Sequence, residues 1–184
     1  MKKESNFRYI TRITLTLLAI AIFVAAALAL VNGITAPIIE KSNAEKTQQA
    51  IATVLPGGYE TEISDYTDAT GLVSKLYKGA NGYAVEVTPG GFDNTITMMV
   101  GVDNDGKVSG ISVISHTETA GLGAVAADKG AKGEAFRNQF IGQTGNVSVS
   151  KDGGALDAIT GATITSRAVC DGVNAALACT VDMG

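Results

Sequence analysis

The chain has 184 residues, a formal net charge of −4 and a hydrophobic content of 46%, values that predict one globular domain with an appendage and exclude a disordered chain. Four basic residues against one acidic residue give residues 1–12 a charge of +3, so residues 13–184 carry −7. An acidic domain of this kind offers no electrostatic footprint for nucleic acid, and we expect no nucleic-acid partner.

An apolar segment, Ile13–Val31, follows the basic N-terminus and contains nineteen residues without a charge. This length predicts a single transmembrane helix over residues 13–31. Basic residues precede the segment and none follows it directly, which predicts a cytoplasmic N-terminus over residues 1–12 and an extracytoplasmic remainder. A cleaved signal peptide is the alternative, because Ala25–Ala29 offers small residues at the spacing of a cleavage site.

A second helical stretch is predicted over residues 38–54, because Pro37 suits a helix start and Pro56-Gly57-Gly58 a helix end. We interpret residues 32–58 as a stalk helix that joins the anchor to a domain over residues 59–184. Residues 59–74 are polar and weakly patterned, and no element is predicted there.

Apolar and polar residues alternate from Lys75 onward, which predicts an antiparallel meander over residues 75–115. The sequence Asp103-Asn104-Asp105-Gly106 is typical of a hairpin turn inside it. One strand is predicted to place Tyr83, Val85 and Val87 on a single face. The fold class is therefore predicted to be α+β, an antiparallel sheet with helices packed to one side.

Two further helices are predicted, over Ala126–Phe140 and Arg167–Ala178, with edge strands over residues 147–149 and 156–159. Thr165 or Ser166 is the predicted N-cap of the last helix. Both cysteines, Cys170 and Cys179, fall in that helix at a spacing that prevents them from pairing with each other, and we expect them to be core residues. No spacing of cysteine and histidine indicates a metal site.

Residues 157–166, here called the hydroxyl turn, read D-A-I-T-G-A-T-I-T-S just before the last helix. Free backbone N–H groups at a helix N-terminus favour an anion, so the stretch suits a phosphate. Gly161 and Ala162 leave the backbone accessible, so the Thr163 hydroxyl is predicted to be within reach of another molecule. The alternative is an ordinary capped helix start.

Residues 116–123, here called the glycine loop, read H-T-E-T-A-G-L-G and hold the one histidine of the chain. His116, with Glu118 two residues later, could act as a general base, a metal ligand or part of a proton relay. A lone histidine is more often structural. We therefore predict no catalytic residue and no metal ligand. Gly121 and Gly123 permit close approach of a flat group, on which Leu122 would pack.

These stretches together resemble the G subunit of the Rnf complex, the ion-translocating ferredoxin:NAD oxidoreductase. The resemblance covers the basic N-terminus, the single span, Leu55-Pro56-Gly57, the strand G-G-F-x-x-x-I-T-M-M-V-G-V-D, the glycine loop and the hydroxyl turn. Ala120 stands where the family usually has proline, and Thr160 where serine is frequent. The hydroxyl turn is similar to the flavinylation motif D-x-x-[ST]-G-A-T, in which a flavin transferase joins FMN to the final threonine.

The resemblance implies a membrane electron-carrier subunit with no independent catalysis, part of a redox-driven translocase that moves sodium ions or protons. It implies FMN in a phosphoester to Thr163, with Asp157, Thr160, Gly161 and Ala162 completing the signal. Further FMN contacts are expected from Thr165 and from the glycine loop: Glu118, Thr119, Gly121, Leu122 and Gly123. The implied partners are the membrane subunits A, D and E, the electron-input and electron-output subunits B and C, and the flavin transferase.

Three other functions remain open on the sequence. The C subunit of the sodium-translocating NADH:quinone oxidoreductase shares the anchor, fold and threonine-linked FMN. A stand-alone extracytoplasmic FMN-binding domain would pass electrons without ion pumping. A non-redox interaction module would use the hydroxyl turn only as a helix cap.

Overall fold

A computed structural model of the chain describes residues 2–181, and their side chains from Phe7 onward. The side chains of Lys2, Lys3 and Glu4, which belong to the predicted basic N-terminus, lie outside the described part, as do Met1 and residues 182–184. The first element, helix α1 (Lys2–Val54), continues through Pro37, so the prediction of a second helix that starts there was wrong. Its most apolar window has a mean hydropathy of 2.7 and contains no buried residue, so by length and composition α1 could cross a membrane.

The chain divides into two compact units, one ending at Ala44 and the other beginning at Glu45. The first unit is helical throughout its described residues. The second unit holds the last turns of α1 together with all the later elements. The predicted boundaries between stalk and domain stay predictions.

The second unit is built on a five-stranded antiparallel sheet whose strands follow one another in chain order. The strands are β1 (Thr61–Ile63), β2 (Val73–Gly79), β3 (Gly82–Val87), β4 (Thr97–Asp103) and β5 (Val108–Ser115). The predicted meander is confirmed, and β1 is an additional strand that pairs with β2. In the hairpin turn between β4 and β5, Asp103 Oδ1 accepts hydrogen bonds from the N–H groups of Asp105 and Lys107.

Alternate residues of the central strands are buried on opposite faces of the sheet, as their period of two requires. On one face, Tyr83, Val85 and Val87 join the main core, as predicted. The remaining elements that follow the sheet are a 3₁₀ turn (Gly123–Ala127), α2 (Ala131–Asn138), a second 3₁₀ turn (Ser150–Asp152) and α3 (Thr163–Val181). Phe136 of α2, Phe140 just after α2 and Val173 of α3 complete this core.

The end of α1 covers the other face of the sheet, so helices lie on both faces and not on one. Ile51 and Val54 are buried there with Met99. Gly101 and Gly110, paired across β4 and β5, present no side chain at this point, and Val54 lies directly over both glycines. This close approach requires glycine at position 101, because a Cβ there would overlap the Val54 carbonyl.

Three predictions for the elements after the sheet were also wrong. The predicted helix over Ala126–Phe140 is broken into the 3₁₀ turn and α2, because Asp128 Oδ1 accepts a hydrogen bond from the Gly130 N–H and leaves the backbone extended at Asp128. The predicted edge strands are reduced to one parallel β-bridge, Val149 to Leu156. The last helix begins at Thr163, before the predicted start.

Candidate functional site

The hydroxyl turn includes the start of α3, whose first residue is Thr163. Thr165 and Ser166 lie inside the first turn of this helix and are buried, so the prediction that one of them is the N-cap was wrong. Ser166 Oγ instead accepts a hydrogen bond from the Ile159 N–H and donates one to the Ala162 carbonyl, each 2.9 Å long. The side chain therefore ties the turn to the helix that follows it.

The helix start and the glycine loop meet around an open cavity of about 300 Å³. The two stretches are far apart in the sequence, yet both line this cavity. Its lining consists of Phe92, the glycine-loop residues Glu118, Thr119, Leu122 and Gly123, and the helix-start residues Gly161, Ala162, Thr163, Ile164 and Thr165. This volume is at the small end of the range for ligand sites.

Three residues named by the sequence as site candidates lie outside this lining. Asp157 and Thr160 are exposed on the turn that precedes α3. The Asp157 backbone is held by Gln139, whose amide accepts from its N–H at 2.7 Å and donates to its carbonyl at 3.3 Å. Gly121 is also exposed, with a positive φ of 75° that favours glycine. Asp157 and Thr160 are therefore accessible to a separate protein.

Glu118 connects three parts of the site although it is buried. Its Oε2 accepts a hydrogen bond of 2.5 Å from the Thr165 hydroxyl, and its Oε1 accepts one of 2.8 Å from the Phe92 N–H. The two nearest glycines, Gly91 and Gly123, leave room for this carboxylate, because a Cβ at either position would overlap it. Glu118 thus fixes the glycine loop against α3 and against the segment before β4.

Large apolar side chains are exposed at the rim of the cavity. Phe92 is 67% exposed, Ile164 48% and Leu122 43%. Leu122 also lies directly over Gly161, where its Cδ2 would be 3.0 Å from an added Cβ. Phe92 and Ile164 were not among the predicted site residues, although both belong to stretches that carry the family resemblance. Exposed apolar side chains around a cavity indicate a surface for a flat apolar group.

A charged side chain that was not predicted from the sequence contacts the Thr163 hydroxyl. Lys151 Nζ donates a hydrogen bond of 2.9 Å to Thr163 Oγ1. Lys151 belongs to the 3₁₀ turn Ser150–Asp152, here called the lysine turn. On the same turn, Asp152 accepts hydrogen bonds of 2.7 and 2.6 Å from the Arg167 guanidinium, which holds the pKa of the Asp152 carboxyl below its ordinary value.

His116 lies at the end of β5 and outside the lining of the cavity. Its Nδ1 is buried and has no hydrogen-bond partner within the part of the chain that the structure describes.

The residues of this site fit an FMN group. A phosphate on Thr163 would lie at the N-terminus of a nineteen-residue helix and beside the Lys151 ammonium, both of which favour an anion. A flat ring would find Leu122, Ile164 and Phe92 exposed at the cavity rim. The chain therefore offers a polar end for the phosphate and an apolar surface for the ring.

Comparison with known proteins identifies an FMN-binding domain and several similar chains. The FMN-binding domain family matches residues 91–178. The G subunit of the ion-translocating oxidoreductase complex of Methanosarcina acetivorans is 32% identical, covering 94% of this chain and 95% of its own. The G subunit of the Na(+)-translocating ferredoxin:NAD(+) oxidoreductase complex of Acetobacterium woodii is 30% identical, covering 94% and 92%. The corresponding G subunit of Aliivibrio fischeri is 34% identical, covering 87% and 86%.

Proposed function

Because the chain belongs to the family of G subunits of ion-translocating oxidoreductase complexes and contains an FMN-binding domain, we propose that it is an electron-carrier subunit whose FMN is joined to Thr163 by a phosphoester. The observation that carries the linkage is the position of Thr163. Its hydroxyl lies at the start of α3, lines the cavity and receives the Lys151 hydrogen bond.

The proposed linkage suits the local electrostatics. A phosphodiester carries a negative charge, and both the N-terminal end of α3 and the Lys151 ammonium stabilise such a charge. Asp157 and Thr160 are exposed just before the attachment residue, where a flavin transferase would need to read the signal. Gly161, with a positive φ of 78°, turns the chain between that signal and the helix.

The ring of the bound flavin is proposed to lie over the glycine loop. Gly123 and Leu122 line the cavity, and Thr119 and the buried Glu118 complete that side of it. Gly121 is proposed to allow the loop to turn, and not to contact the flavin directly. When bound, FMN supplies the electron-transfer chemistry, while the residues named here hold it, orient it and limit its contact with water.

The complex is proposed to couple ferredoxin oxidation and NAD reduction to ion movement, as the name of the Acetobacterium woodii relative states for that protein. The proposed partners are the membrane subunits A, D and E and the redox subunits B and C. The relatives described above are G subunits, which favours this function over a C subunit of an NADH:quinone oxidoreductase. The same relatives also disfavour a stand-alone domain or a non-redox module.

The chain is proposed to be anchored in the cell membrane through Ile13–Val31, with its N-terminus cytoplasmic and its FMN domain extracytoplasmic. The support is the apolar, exposed stretch of α1 and the basic residues before it. Covalent attachment would prevent loss of the cofactor to the outside.

The proposed linkage is tested by flavin fluorescence after denaturing electrophoresis of the full chain, expressed in its native membrane with flavin transferase present. We expect a fluorescent wild-type band and a dark Thr163→Ala band. Thr144→Ala, which changes an exposed loop threonine, is the matched control and should stay fluorescent. A dark wild-type band would refute the covalent linkage, whereas a fluorescent Thr163→Ala band would move it to another residue.

A further inference from the structure

The lysine turn is held in a defined position against the first turns of α3. Its flanks are fixed by the Val149–Leu156 β-bridge, whose two side chains are buried. Its end is closed by Gly153, which has a positive φ of 85°. The Asp152 carboxylate binds Arg167 through two hydrogen bonds. Lys151 is therefore carried by an ordered backbone.

Two contacts align the lysine turn with one face of α3. Thr163 and Arg167 are four residues apart and so lie on the same side of the helix, one turn from each other. Lys151 contacts the first of them and Asp152 the second. The adjacent residues of the turn thus present a cation to the hydroxyl and an anion to the guanidinium. Exchanging their order would place a carboxylate at Thr163 Oγ1, where it would repel a phosphate.

We propose that Lys151 activates Thr163 as the acceptor of the flavin and then neutralises the phosphodiester that forms. This role rests on the proposed covalent linkage. The ammonium occupies one lone pair of Oγ1 and stabilises negative charge on that oxygen while the hydroxyl proton leaves. The same donor remains beside the product oxygen, where it forms a charge-assisted hydrogen bond to the phosphodiester.

The transfer uses a flavin adenine dinucleotide as donor and involves no change of oxidation state. A bond forms between Thr163 Oγ1 and the phosphorus on the flavin side of the pyrophosphate. The bond from that phosphorus to the bridging oxygen breaks, and AMP leaves with the oxygen. The hydroxyl proton passes to a base of the transferase or to water. Lys151 keeps its own proton throughout and acts through its charge.

The test is the initial rate of covalent flavin incorporation into the full chain, purified in detergent and supplied with transferase and the dinucleotide. We expect Lys151→Met to lower this rate about tenfold, the effect of losing one charge-assisted hydrogen bond in the transition state. Lys151→Arg should restore most of it, since it returns the charge. Lys132→Met, which removes an exposed lysine from α2, should incorporate flavin at the wild-type rate.

Thermal unfolding of the unloaded variants separates this role from a structural one. We expect Lys151→Met and wild type to melt at the same temperature, because an exposed lysine contributes little to folding. A wild-type rate in Lys151→Met would overturn the role of Lys151 and leave the linkage intact. An equal loss in Lys151→Arg, or a lowered melting temperature that accounts for the slower rate, would also overturn it. A wild-type chain that acquires no flavin would overturn both proposals.

Discussion

The hydrogen bond between Glu118 and Thr165 should be the main contact that holds the glycine loop against α3. Glu118 is 7% exposed and Thr165 1%, and their side-chain oxygens are 2.5 Å apart. A net hydrogen bond to a charged group contributes about 1.5–3 kcal/mol, and Glu118 also accepts from the Phe92 N–H. Glu118→Ala should therefore destabilise the domain by about 3–5 kcal/mol, since it also leaves a buried hydroxyl unpaired.

The pairwise part of this energy can be isolated with a double-mutant cycle. Glu118→Ala removes both acceptor oxygens, and Thr165→Val removes only the hydroxyl. We expect a coupling free energy of about 1–2 kcal/mol between them, measured by urea unfolding of the full chain in detergent and followed by the near-UV circular dichroism of its tyrosines. Glu134→Ala, at an exposed position on α2, should change stability by less than about 0.5 kcal/mol. Additive single variants would refute the contact, as would a loss below about 1 kcal/mol for Glu118→Ala.

Three further predictions concern the cavity and the core. Gly123→Ala should destabilise the domain by about 2 kcal/mol in the same unfolding assay, because its Cβ would overlap the buried carboxylate. Gly90→Ala, where an added Cβ meets open space, should have no such effect, and equal losses would contradict the prediction. Leu122→Ala should reduce the spectral shift of bound flavin in absorption spectra, whereas Ile141→Ala, at an exposed position outside the cavity lining, should not. An unchanged Leu122→Ala spectrum would count against ring contact. Burial raises the pKa of the Cys170 thiol to about 11, so the reactive thiolate is scarce in the folded protein at about pH 8. In a variant that keeps Cys170 as its sole cysteine, we therefore expect alkylation at that pH to be slow in the folded state and fast in urea. Rapid native alkylation would contradict this.

The sheet could be predicted from the sequence because each of its signals is local. Alternation over Gly82–Val87 predicted the buried face, and the turn at Asp103–Gly106 predicted the hairpin, where Gly106 takes a positive φ of 74°. The end of α1 on the second face was not predicted. The signal for it was a pair of glycines in adjacent strands, Gly101 and Gly110, and their pairing becomes visible only once the register is known.

The site was only partly predictable, because some of its contacts join residues that are far apart in the sequence. Thr163 and the glycine loop belong to recognisable motifs, so the sequence alone identifies both. Lys151 belongs to no motif, and its contact with Thr163 depends on the lysine turn folding back over twelve residues. Phe92 reaches the cavity because Glu118 binds its N–H, a contact between residues 26 positions apart. Contacts of this kind depend on packing and leave no periodic pattern in the sequence.

The covalent attachment of FMN to Thr163 is tested most directly by mass spectrometry of the peptide that contains this residue. The full chain would be isolated from membranes of a host with active flavin transferase and digested. We predict that the peptide gains the mass of one FMN less one water, that fragmentation places the gain on Thr163, and that Thr163→Ala abolishes it. An unmodified Thr163 from such cells, or the same mass on another residue, would contradict the account.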